Sequence, residues 1–205
     1  HTATDANVSR MWSLMYRVIT NSNAIIANEA KLQSIATSLE TAEVKQLIGE
    51  AYAVRAMAYF DLAKFFSRPL NHTPDGSHLC VPLVLSPITN VSQVVYPKRN
   101  TAAEVYSQID KDIQEALNRL PATGDVIING AASEAFFKIR LNRWGVLALR
   151  ARVSLYKEDW VTAVSASTAV INSSRYSLLP FASLFTGFQT VGNAESIFEV
   201  ANNTT

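Results

Sequence analysis

His72, Asp75 and His78 fall within one loop and carry side chains that metal sites use, two imidazoles and a carboxylate. Pro74, Asp75 and Gly76 between them spell a turn, however, so the expectation is a solvated polar loop. Of the three histidines, His1, His72 and His78, no two lie four apart, the spacing that sets two imidazoles on one helical face. His1 reads as a leftover of expression. Cys80 is the single cysteine, which excludes an intrachain disulfide and a cysteine-built zinc site. Neither a metal nor any other cofactor is assigned. Trp12, Trp144 and Trp160 offer aromatic faces of the kind that stack on sugar C–H surfaces, yet each lies on a helical apolar stripe or at a helix end, which favours core packing. Glu115 and Arg119 are spaced i, i+4 and Asp61 and Lys64 i, i+3, as in helix-surface ion pairs. Glu50 and Arg55 share a helix without facing each other, so each is expected to anchor a neighbouring segment. A glycan-cleaving enzyme needs two carboxylates across a cleft, and no pair here argues for one. No nucleophile elbow, phosphate-binding glycine loop or HExxH occurs, and the seven glycines are scattered. The chain is read as no enzyme: no catalytic residue is assigned, and ligand-binding residues are unknown.

The elements that would carry these residues belong to an ordinary globular chain. With 205 residues, 48% of them hydrophobic, a compact fold removes roughly 70% of the unfolded surface from water without staples. One domain over residues 1–205 is expected. A net charge of +1 gives no electrostatic footprint for nucleic acid or anionic lipid. No apolar run approaches the roughly 20 residues that span a bilayer, and HTATDANVSR holds no signal-peptide hydrophobic stretch.

Apolar residues at 8, 11, 12, 15, 19, 26 and 30 predict a first helix from Val8 to about Leu32. Leu47, Ala51, Val54, Ala58, Leu62 and Phe65 predict the buried face of a second, Glu43 to Phe66, with Tyr52, Tyr59 and Phe66 beside it. Alanines 51, 53, 56, 58 and 63 permit close approach, and the two helices should form an antiparallel hairpin. Five prolines between Ser67 and Asn100 forbid continuous helix there, and LCVPLVL, with Pro82, suits an extended or edge segment. Thr101 to Glu104 is a capping box opening a third helix, buried through Val105, Ile109, Ile113, Ala116, Leu117 and Leu120 and stopped by Pro121. Residues 122–134 predict a hairpin or bent loop around Val126–Ile128. Asn142 caps a fourth helix, buried through Val146, Leu149, Val153 and Tyr156, and a KED turn leads to a fifth, Trp160 to Ile171. Tyr176 to Gly187 reads as irregular, Ser196 to Val200 as β-prone, and ANNTT as an interrupted end.

Alanine-rich helical hairpins are what a tetratricopeptide-like array requires, although the 34-residue period is poorly kept. The fold class is mainly α: irregular tetratricopeptide-like hairpins with long loops and minor β segments. In order along the chain, YRVITNSNAII, EAYAVRAMAYFDLAKFF with Glu50, Arg55, Ala56, Tyr59, Phe60 and Leu62, VPLVL followed by Arg99, VYSQIDKDIQEAL with Asp112, LALRARVSLYKEDWVTAV and NAESIFEV resemble the SusD/RagB-like outer-membrane lipoproteins of Bacteroidetes. The resemblance runs from about Met11 to Val200. It implies a cell-surface scaffold that binds glycans or other nutrients and delivers them to a SusC-like TonB-dependent transporter. Family members are much longer and begin from a lipidated cysteine, and many carry glycine where Cys80 stands. The alternative is a tetratricopeptide-like module that binds a peptide or protein; the regular groove-facing Asn, Lys and Arg that would favour it are not found.

Overall fold

The computed structural model describes residues 6–38, 40–88, 90–94 and 96–200; His1 and ANNTT lie outside them. The helices are α1 (Ala6–Ala27), α2 (Glu29–Ile35), α3 (Glu40–Phe66), α4 (Ala102–Arg119), α5 (Arg143–Tyr156), α6 (Trp160–Asn172) and α7 (Leu184–Phe188). Among the described residues the one strand pair, β1 (Ile127–Ile128) with β2 (Ala131–Ala132), is an antiparallel hairpin. The mainly α reading with minor β segments holds.

The first expected helix is two. Asn28 interrupts it, its amide nitrogen donating to Ala24 O at 2.8 Å in the way short polar side chains compete with the helix ladder. Nothing in α2 is buried, so packing does not straighten the break. The second expected helix starts three residues earlier, at Glu40, whose carboxylate accepts from the Thr37 backbone N–H at 2.9 Å. It also buries more than one face. Leu47 and Phe65 are 37% and 62% exposed, while Ile48, Ala53, Ala56 and Phe60 are sealed. The cause is that α3 is central, with helices on several sides, so a single-stripe reading misassigns its rim.

Trp12 meets Phe66 edge-on, ring centroids 4.9 Å apart, and Asn23 meets Arg55, so α1 and α3 run antiparallel as expected. On another side α4 runs antiparallel to α3. A Cβ on Gly49 would come within 3.1 Å of Arg119 Cβ and Leu120 Cγ, so the missing side chain sets that approach. Within α4 the capping box forms, Thr101 Oγ1 accepting from Glu104 N, and the six expected positions are buried. The β-hairpin turns through Asn129 and Gly130, φ 51° and 77°, the paired positive values of a two-residue type I′ turn. Gln46 and Glu43 of α3 hold it, accepting from Ile127 N at 2.6 Å and Asn129 N at 3.0 Å.

Asn142 caps α5, accepting from Gly145 N at 3.0 Å, and Asp159 caps α6, accepting from Thr162 N at 3.1 Å. The pair forms the expected second hairpin, closed by Ala163, Ala166 and Val170. Two assignments fail at its turn. Tyr156 is 53% and Trp160 61% exposed, because both sit where the helices end and no facing helix continues. The interval expected to be irregular contains α7 and a 3₁₀ turn, Phe181–Ser183. Ser196 to Val200 forms no strand, since its one ladder-like bond, Glu199 N to Lys138 O, meets a turn and not another strand.

Ala56 is fully buried and Ala58 4% exposed. Replacing either by Leu inserts three heavy atoms into a filled core and costs about 1–3 kcal/mol. Thermal melts should show both variants below the parent protein; unchanged midpoints would refute the close packing.

Candidate functional site

A buried ionic centre joins α1, α3 and α4. Arg55 on α3 donates from Nε to Asp112 Oδ2 at 2.8 Å and from Nη2 to Asp112 Oδ1 at 2.7 Å, and from Nη1 to Asn23 Oδ1 at 2.8 Å. The two charged side chains are 5% and 1% exposed. Burial, the largest influence, opposes the guanidinium charge, yet the Asp112 hydrogen bonds and its charge together with Tyr59 and Tyr52 outweigh it and lift the Arg55 pKa. Burial likewise pushes the Asp112 carboxyl up against the pull of Arg55. Two charge-assisted bonds at these lengths support the ionised pair.

Asn23 passes the order on to the long loop, its amide nitrogen donating to Val84 O at 2.8 Å. Tyr59 accepts from Val84 N and donates to Val84 O, and Tyr16 donates to Pro82 O at 2.7 Å. Burial pushes the Tyr59 phenol up to about 12, so it stays a donor. The LCVPLVL run is thus extended but held by side chains, with one backbone bridge, Leu79 to Thr101. Arg99 closes it, donating to the Cys80 and Leu79 carbonyls. Cys80 is fully buried beneath, and burial raises its thiol.

Three adjoining clefts surround the outward ridge of α4. The first, about 520 Å³, lies between residues 70–76, α4 and the α5–α6 turn. A second, about 400 Å³, shares Asp110 and Lys157 with it. A third, about 440 Å³, is lined by Asn100, Glu104, Ser107, Gln108 and Lys111. Asn71 bridges the first cleft's walls, donating to Glu158 at 2.6 Å, and Lys157 pairs with Asp110. The wall at 70–76 is preformed: Gly76 O accepts from Ala103 N, and His78 O from Ala102 N. Gln108 ties the groove to the buried centre, donating to Asp112 Oδ1 at 2.8 Å. Amides, hydroxyls and charges of both signs line the groove, a set of hydrogen-bond donors and acceptors.

The residues singled out by type land in different places. His72 and His78 meet edge-on at 5.3 Å, but both His78 nitrogens are engaged, Nδ1 with Thr73 Oγ1 and Nε2 with Arg68 O. Asp75 turns to Ser77, whose hydrogen bonds hold its carboxyl below the ordinary value. Among the described residues no group of three or more His, Cys, Asp or Glu could hold a metal. Trp12 packs on Tyr16 and Phe66, and Trp144 covers Gly124. Glu50 anchors Arg140 through both oxygens, 2.7–3.0 Å, and burial pushes its carboxyl up despite that partner. Arg55 and Glu50 therefore serve as anchors, as expected. The Asp61–Lys64 and Glu115–Arg119 pairs form, but Arg119 also takes Glu29 at 2.9 Å. Sequence reading missed Asn23, Gln46 and the groove itself. Polar residues amid apolar helix faces are the only local signal for the first two.

Residues 1–155 match a family model described as SusD-like, starch-binding associating with outer membrane. The chain belongs to the SusD-like family. A SusD-like protein of Formosa agariphila is 28% identical over 82% of this chain. The fold is shared with a SusD superfamily protein of Bacteroides thetaiotaomicron, TM-score 0.79 and 28% identity over 94% of this chain. It is shared also with a laminarin-binding SusD-like protein, TM-score 0.69 and 27% identity over 94%. The chain spans 27%, 38% and 37% of these three relatives' own lengths.

In this SusD-like scaffold the Arg55–Asp112 pair makes a sharp prediction. Arg55→Met strands a buried carboxylate and should cost about 3–5 kcal/mol, whereas Arg55→Met with Asp112→Leu should regain most of that loss. Denaturant unfolding of both variants checks it; equal losses would deny that the stranded charge is the cause.

Proposed function

We propose that this SusD-like protein is a non-catalytic, cell-surface glycan or nutrient binder at the outer membrane that passes its ligand to a SusC-like TonB-dependent transporter. The observation that carries the reading is the family match over residues 1–155, described as starch-binding and outer-membrane associating. The laminarin-binding relative supports the same ligand class, and the α4 groove suits it chemically. A net charge of +1 and mixed groove charges favour a neutral glycan over a polyanion. Binding rests on hydrogen bonds to the sugar hydroxyls, with Lys111, Gln108 and Asn71 as donors and Glu104 and Asp110 as acceptors. Of the carboxylates that line these clefts, Asp110 is paired with Lys157 and Glu158 accepts from Asn71.

Titration calorimetry with soluble starch and laminarin oligosaccharides should give saturable binding to at least one, with no new reducing ends. Lys111→Ala should weaken it at least about fivefold, removing one donor worth about 1 kcal/mol, without lowering the melting temperature. Absence of heat with both glycans would overturn the ligand class. Reducing ends that vanish when a carboxylate is amidated would make the protein an enzyme.

Delivery requires a stable complex with the transporter. Near-neutral charge implies docking through shape and apolar anchors more than long-range steering, so the complex should survive salt well above physiological strength. Pull-down of the lipid-anchored protein from detergent-solubilised outer membranes, at low and high salt, should recover a TonB-dependent receptor in both. Recovery in neither would remove the transporter from the proposal.

A further inference from the structure

Arg150 of α5 stands apart from the other arginines that helix packing draws out of water. Among the described residues, Arg55, Arg119, Arg140, Arg143 and Arg175 are buried or half-buried, and each donates to a carboxylate or a carbonyl. Arg150 is half-buried too, yet it makes no hydrogen bond or ion pair with any described residue. Burial strips water from a charge, and a partner ordinarily takes its place. Here the guanidinium lines the second cleft, about 400 Å³, with its donors unspent.

The rest of that cleft adds to the same charge. Lys111 lines it, exposed and likewise without an ion pair among the described residues. Both carboxylates of the cleft are committed elsewhere. Asp110 pairs with Lys157, and Asp159 caps α6, its Oδ1 accepting from Thr162 N at 3.1 Å. Hydrogen bonds from Thr162 hold the Asp159 carboxyl below its ordinary value, with smaller pulls from Lys157 and Arg150. The last carbonyls of α5 are taken as well, Val153 O and Ser154 O by Lys157 N and Asp159 N. Ser154 is only 2% exposed, and its hydroxyl lines the cleft with no hydrogen bond to a described residue. What is left unspent is a guanidinium, an ammonium and a hydroxyl, the donor set that receives an oxyanion.

We propose that the second cleft is an acid-selective subsite, in which Arg150, Lys111 and the Ser154 hydroxyl take one carboxylate or sulfate substituent of a glycan whose other sugars are neutral. This subsite rests on the glycan reading above and narrows its ligand. A guanidinium meets either oxyanion with two parallel N–H donors. One acid is the limit, because the flanking clefts carry the carboxylates of Asp75, Glu158 and Glu104, which repel a second.

The test is titration calorimetry at low salt with three oligosaccharides of one glucan backbone: neutral, bearing one uronate, and bearing one sulfate ester. At least one acidic form should bind about tenfold tighter than the neutral one, and the form that does so names the acid. Raising the salt should shrink the preference. Arg150→Gln should bring acidic and neutral affinities within about twofold of each other, with neutral binding and the melting temperature unchanged; Arg150→Lys, which keeps the charge without the fork, should retain part of the preference. Equal affinities for all three ligands in the parent protein overturn the subsite and leave the glycan reading standing. A preference that survives Arg150→Gln overturns it in the same way. Inorganic sulfate is a probe free of sugar: saturable binding that Arg150→Gln abolishes, with no heat from any oligosaccharide, upholds the anion site and removes the glycan reading. No heat from sulfate or from any oligosaccharide overturns both.

Discussion

The Arg55–Asp112 pair is the constraint on which the architecture turns. Neither charge tolerates burial alone, and each is almost wholly removed from water, so α3 and α4 must sit in the one register that brings guanidinium and carboxylate together. Asn23 takes the third guanidinium direction and brings α1 to the same point. Three helices from distant parts of the chain thereby share one polar centre inside an alanine-rich core. Apolar packing around it is permissive, since small side chains allow many sliding arrangements; the ionic centre selects among them.

From that centre order spreads outward in two directions. Asn23, Tyr16 and Tyr59 pin the backbone of residues 82–84, which lets a segment without regular secondary structure hold a fixed course across α1 and α3. On the far side Gln108 links Asp112 to the groove, and Asn71 and Lys157 bridge the first cleft's walls. The groove is therefore built on a rigid helix backed by the core, with loops contributing only its rim. Under the proposed glycan reading this division has a use, since many weak hydrogen bonds add up only when the donors and acceptors are already in place.

Local features were legible wherever the interaction is local. The Thr101–Glu104 box, the Asn142 cap and the Pro121 stop act within one turn of chain, and each stands where the residues place it. The Val105 to Leu120 stripe was equally plain, because α4 keeps one side in water. α3 was not plain, since a helix covered on several sides loses the contrast between faces, and Leu47 and Phe65 were placed inside for that reason. Asn28 divided the first helix through a competition between side chain and backbone that the apolar periodicity does not register.

By itself, the sequence determined the helical class, the two hairpins, the caps and, through an ordered set of motifs, the SusD-like family. Those depend on periodicity, on turn chemistry and on residue order, all properties of neighbouring positions. Only the tertiary structure decided that Arg55 meets Asp112 and not Glu50, that Glu50 meets Arg140, that Arg119 shares itself between Glu29 and Glu115, and that three polar clefts adjoin along α4. These partners are separated by 57 to 90 positions, except for the i, i+4 pair. A charged side chain carries no mark of which opposite charge it will meet until helix packing has brought the candidates within reach.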